Sequence, residues 1–157
     1  MKMAAKYDIE APVDFVYREL TDFDAWERMA MRRGVDVARA DRLQGPGPGM
    51  EWQISFPFRG KGRSARLRLI AAAPTSHMTI NAASTLVDAE MQFELLDLAA
   101  SRTRVEVRME AKPKTLAARI YMQTLRLARK KLDAGFAQRV AQLAVEMEDR
   151  YRRPAQR

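Results

Sequence analysis

The chain has 157 residues, enough for one domain with a substantial core. Hydrophobic residues at 47% and charged residues at 31% exclude a disordered chain, and no apolar run approaches the roughly 20 residues of a membrane span. The absence of cysteine excludes disulfides, thiol catalysis and zinc-thiolate sites, while the net charge of +8 suits an Arg-rich soluble surface with some attraction for polyanions.

Met3, Ala5, Tyr7 and Ile9 alternate with Lys2, Lys6 and Asp8, which predicts a first strand. Pro12 opens a short helix with Val13, Val16, Tyr17 and Leu20 on its apolar side. Asp22 or Asp24 caps a second, Ala25 to Arg32, which Gly34 ends. Val35 to Leu43 reads as a strand, and Gly45-Pro46-Gly47-Pro48-Gly49 as a loop that cannot hold a ladder. Then come alternating runs. Met50, Trp52, Ile54, Phe56 and Phe58 share one face. Ala65, Leu67, Leu69 and Ala71 share the next, followed by Met78, Ile80 and Ala82. Ala89, Met91, Phe93 and Leu95 precede a last set, Thr103, Val105, Val107 and Met109. Short turns between these runs predict an antiparallel meander with one apolar face and one wet face of interleaved Arg and Glu.

Thr115 to Tyr151 reads as one amphipathic helix of roughly 55 Å, too long for a small domain to surround, so one end is expected to project or fray. Its stripe is Leu116, Ile120, Ala128, Leu132, Phe136, Val140, Leu143, Met147 and Tyr151. Thr115 is placed to cap it, Gly135 marks a kink or a close contact, and Pro154 follows its end. The order is strand, two short helices, six strands, long helix. That is a two-layer α+β domain over residues 1–153, with a tail at 154–157.

Ile9-Glu10-Ala11-Pro12-Val13-Asp14-Phe15-Val16-Tyr17 and Leu20-Thr21-Asp22-Phe23-Asp24-Ala25-Trp26 resemble the opening of the START-like (SRPBCC) superfamily, with its polyketide cyclase/dehydrase and coenzyme Q-binding groups. The element order extends the resemblance over essentially the whole chain. It implies the helix-grip, Bet v 1-like fold: a curved antiparallel sheet of about seven strands around a long C-terminal helix. It also implies a space between helix and sheet that holds a lipid, quinone, polyketide or aromatic molecule, and in some members serves cyclisation or dehydration.

Catalytic constellations are sparse. A single histidine, His77, excludes any site built on two, and it reads as an ordinary strand-end residue. Gly60-Lys61-Gly62 is a hairpin tip rather than a phosphate loop, and no metal-ligand spacing occurs. Neither catalytic residues, metal nor cofactor are therefore expected. If the protein were a cyclase or dehydratase, His77, Asn81 or Tyr17 would be its proton-handling groups.

The apolar faces point instead to a ligand wall. Trp52, Phe56, Leu67, Leu69, Met78, Ile80, Met91, Phe93, Val105, Val107 and Met109 supply large or adaptable surface beside the small Ala65, Ala71, Ala82 and Ala89. From the helix, Ile120, Leu125, Ala128, Leu132, Phe136 and Val140 would close the space. The expected function is binding or transport of a hydrophobic small molecule without catalysis. The alternatives are a cyclase or dehydratase in the same cavity, and a basic interaction module acting through the helix. Arg59, Lys61, Arg63, Arg66 and Arg68 form one basic cluster; Arg126, Arg129, Lys130, Lys131, Arg150, Arg152, Arg153 and Arg157 form another. These charges suit peripheral contact with anionic membrane. Nucleic acid is not an expected partner, since no stacking aromatics or groove-reading module accompany them. No signal-peptide core occurs in Met1 to Asp8, so a cytoplasmic location is expected. No oligomeric state follows from the sequence.

Overall fold

Period-two alternation needs a partner for every strand, and the chain provides it in one sheet. The computed structural model describes residues 1–153. Its elements are β1 (Lys2–Ile9), α1 (Val13–Leu20), α2 (Phe23–Arg32), β2 (Asp36–Arg39), β3 (Glu51–Phe58), β4 (Lys61–Ala73), β5 (His77–Ala83), β6 (Val87–Ala99), β7 (Arg102–Pro113), α3 (Leu116–Arg126) and α4 (Arg129–Arg152). The seven strands lie in the order β1-β7-β6-β5-β4-β3-β2, all pairs antiparallel. Only β1 against β7 joins strands distant in sequence.

The outer face carries the expected charge pairs: Arg68 with Glu51, Arg108 with Glu94 and Glu106, and Arg104 with Asp8 at 2.8 Å. The Arg104 hydrogen bond holds the Asp8 carboxyl below the usual carboxylate range. The inner face meets the helices. There Leu69, Met78, Phe93, Val105 and Val107 are buried against Val140, Ala144 and Met147 of α4 and Phe15, Val16 and Leu20 of α1. Each of these side chains other than Ala144 stabilises the fold by about 1.5–3 kcal/mol.

The short helices have the expected entries. Pro12 precedes α1; of the two expected caps of α2, Asp22 serves, its carboxylate accepting from the Ala25 amide at 3.2 Å, and the helix starts at Phe23 rather than Ala25. The buried Thr103 hydroxyl donates to the Ala11 carbonyl at 2.8 Å and ties this connection to β7. The strand expected from Val35 to Leu43 stops at Arg39. Beyond it the Asp41 carboxylate accepts from the Leu43 and Glu51 amides and from Arg39, so the backbone folds around a side chain instead of a ladder. These bonds hold the Asp41 carboxyl far below its usual range.

The C-terminal helix is not continuous. Thr115 caps α3 through the Ala118 amide at 3.1 Å, as expected, but the helix breaks at Leu127–Ala128. The Leu127 and Ala128 amides donate three residues back, to Thr124 and Leu125, which tightens the last turn. Neither glycine nor proline marks the break, and Gly135 lies inside α4 with nothing near its missing Cβ. Tertiary anchors differ on the two sides. α4 runs alongside β1, with Arg129 donating to the Lys2 carbonyl and the Glu10 amide donating to Glu148 at 2.9 Å. α3 instead leans toward the β3–β4 hairpin. Pro154 and Arg157, with the tail at 154–157, lie outside the described residues.

Candidate functional site

The hairpin between β3 and β4 turns on Arg59 and Gly60, both at positive φ (54° and 75°), the pair of conformations that a two-residue hairpin needs. Gly60 takes this freely, whereas Arg59 does so at some cost. Its guanidinium lies 4.7 Å from the Tyr121 ring centroid, and the Phe58 ring meets Tyr121 edge-on at 6.3 Å. The hairpin tip is thereby latched to α3.

Inward from this latch the register sets out the inner face in rows. Phe56 opposes Arg63, and Ile54 opposes Ala65. The next row runs Trp52, Leu67, Ala82, Ala89 and Ala111 across five strands. Three alanines side by side make this row a shallow trough in side-chain height, since each side chain ends at Cβ. All three are half-buried. Beyond lie Leu69, Ile80, Met91 and Met109, and then the filled end at Met78, Phe93 and Val107. A bulge after Leu69 turns Ala71, expected inside, to the outer face; Ala72 takes the inner place opposite Met78.

The expected wall residues therefore divide. Trp52, Leu69, Met78, Phe93, Val105 and Val107 belong to the buried cluster. Phe56, Leu67, Ile80, Met91, Met109, Leu125, Ala128 and Leu132 are half-buried. Phe136 and Val140 face the sheet as expected, but Ile120 does not: it is 56% exposed. Two hollows, of about 330 and 380 Å³, lie elsewhere. One sits at α3 between Met1, Met122 and Arg126, and the other on the β1–β7–β6 surface, where Met109 is the only expected wall residue it touches.

Polar groups on this inner face are few. The Trp52 ring is held at the β2 edge: its N–H donates to Glu27 at 3.4 Å, Phe23 packs 5.4 Å away, and Arg39 stacks over it at 5.7 Å. Arg63 is different. Its Nε is enclosed and has no hydrogen-bond partner among the described residues. The sequence placed Arg63 only in a wet basic cluster. The signal that marks it is parity, since it stands two residues before Ala65 and four before Leu67, on the inward positions of β4. His77 and Asn81 are on the outer face, in register with Glu94 and with Arg68 and Glu90. His77 is exposed and lies 3.3 Å from the Ser76 hydroxyl. Tyr17 is half-buried, and burial pushes its phenol up from the ordinary value. No cluster of His, Asp or Glu suited to a metal ion exists among the described residues.

No protein-family model matches the chain, and no curated protein matches its sequence. Solved structures do. The Zhui aromatase/cyclase from Streptomyces sp. R1128 superposes with a TM-score of 0.69 at 14% identity, over 99% of this chain and 97% of that one. A START superfamily protein from Mycobacterium smegmatis gives 0.56 at 14% identity, over 90% and 98%. Ara h 8.0201 gives 0.60 at 10% identity, over 93% and 98%. The fold is therefore the START-like, Bet v 1-like helix-grip fold, with a curved seven-stranded sheet.

Proposed function

We propose that the chain binds a hydrophobic small molecule with an anionic end, without turnover, in the trough between the inner face of the sheet and the α3–α4 junction. The observation that carries this reading is Arg63. An enclosed charged N–H without a partner costs roughly 1–3 kcal/mol or more, and a carboxylate or similar oxygen anion would supply the missing acceptor. From Arg63 to the alanine row is four residues of β4, roughly 13 Å of strand. A ligand with an anionic head and an extended or fused-ring apolar body fits that span. Ile54, Phe56, Leu67, Ile80 and Met91 give its body a half-buried apolar wall, and methionine lets that wall adapt. The fold likeness to an aromatase/cyclase and to START and Bet v 1-like proteins supports a ligand in this place. The outward positions of His77 and Asn81 favour binding over proton-transfer chemistry.

The test is a titration of dodecanoate and of 1-dodecanol, followed by tryptophan emission, since Trp52 walls one end of the trough. Dodecanoate is expected to saturate at one per chain. Arg63→Leu is expected to weaken it about tenfold or more, the equivalent of one charge-assisted hydrogen bond, and to leave dodecanol unchanged. Equal loss of both ligands, no loss of either, or no saturable binding would overturn the reading.

A further inference from the structure

Residues placed by pattern against the sheet stand in water on α3. Leu116 is 72% exposed, Ile120 56% and Leu127 90%. At 3.6 residues per turn these positions fall within roughly 40° of one another. Leu127 still has helical φ and ψ, so it continues the same stripe. The opposite side of α3, with Ala118 and Leu125, is the one turned inward. α3 thus presents a narrow apolar ridge outward, with Gln123 its only polar interruption.

The charge around the ridge has one sign. From Lys112 to Lys131 the sequence contains Lys112, Lys114, Arg119, Arg126, Arg129, Lys130 and Lys131, and neither aspartate nor glutamate. Lys112, Lys114 and Arg129 have acidic neighbours from outside this stretch. Arg119, Arg126, Lys130 and Lys131 make no ion pair among the described residues. Arg119 and Arg126 project from one flank of the ridge, about two turns apart.

We propose that α3 lies on an anionic lipid bilayer, with Leu116, Ile120 and Leu127 entering the headgroup–acyl boundary and the flanking Arg and Lys residues meeting lipid phosphates. An apolar ridge with cations at its border and no acid is the pattern of a helix that rests in the interface plane. An acidic protein groove would match the charge, but the ridge is too narrow to bury much of a protein partner. No helix among the described residues is long and apolar enough to cross a membrane, so contact would be peripheral. Because α3 also carries Tyr121 and its latch to the hairpin, docking would hold the β3–β4 hairpin tip near the lipid surface.

The test is co-sedimentation of the full chain with vesicles of phosphatidylcholine containing 30% phosphatidylserine, against pure phosphatidylcholine, at low and high salt. Binding to the anionic vesicles is expected, falling at least tenfold with salt and with the triple substitution Leu116→Ser, Ile120→Ser, Leu127→Ser. Lys130→Glu with Lys131→Glu should weaken it as well. These side chains are exposed, so circular dichroism and the dodecanoate titration should both stay as in the parent protein. Binding that ignores the substitutions, or no binding to anionic vesicles, would overturn the proposal. So would a dimer in solution that the serine substitutions dissociate, because the ridge would then be an interface between copies.

Discussion

The inner face of the sheet has two ends built from the same alternation, and they do different things. At one end Met78, Phe93 and Val107 stand in register and are buried against Val140, Ala144 and Met147. At the other end, two rows away, Ala82, Ala89 and Ala111 stand in register and remain half-buried. The strands are continuous between them, so the backbone does not make the difference. Side-chain volume does. Large residues pack with α4 and are buried, whereas the alanines stay partly open to solvent. One end stabilises the protein, and the other is where we place the proposed ligand.

That contrast can be broken from either side. The largest expected effect is on stability: Phe93→Ala should cost about 3–5 kcal/mol in chemical denaturation, through lost burial and a residual cavity. Dodecanoate affinity, measured below the unfolding range, should change little, because Phe93 lies outside the trough. Next, Ala82→Leu or Ala89→Leu should fill the trough. We expect dodecanoate binding to fall at least tenfold, with a stability change within about 1–3 kcal/mol of either sign. If Ala82→Leu bound dodecanoate as the parent does, the two ends would not differ in function.

The smallest effect concerns the trough's edge at Trp52, which Arg39 covers and Asp41 positions. The Asp41 carboxyl is depressed in the folded state, first by the Arg39 hydrogen bond and then by the Glu51 amide. Its stabilising contribution is therefore present above the unfolded value of about 3.9 and lost as pH falls through the lower folded value. Asp41→Asn should remove that part of the acid dependence, so that the variant and parent melting temperatures converge as pH drops below about 4. Parallel pH–melting curves for the two proteins would show that Asp41 does not fasten this edge.

Much of the fold was legible. Alternation located the strands from Glu51 onward, and the pairs on the wet face followed from their interleaved signs. The Asp22 and Thr115 caps followed from local chemistry. The candidate site was legible only in part. The small residues Ala65, Ala82 and Ala89 were visible as small, but Ala111 had no reason to be grouped with them until β7 was paired in register with β6. Arg63 looked like one more surface cation, because a charge in a basic run is usually solvated.

The sequence by itself determined which residues alternate, where turns and caps fall, and that an amphipathic segment would close the chain, since all of these are set by neighbours within a few positions. Only the tertiary structure decided that this segment would break at Leu127–Ala128 and that Leu116 and Ile120 would face water. It alone aligned the alanines across three strands and enclosed the Arg63 Nε. The physical reason is that periodicity defines a face without saying what the face will meet. Register, a bulge after Leu69 and the anchoring of α4 along β1 are contacts between residues far apart in the chain.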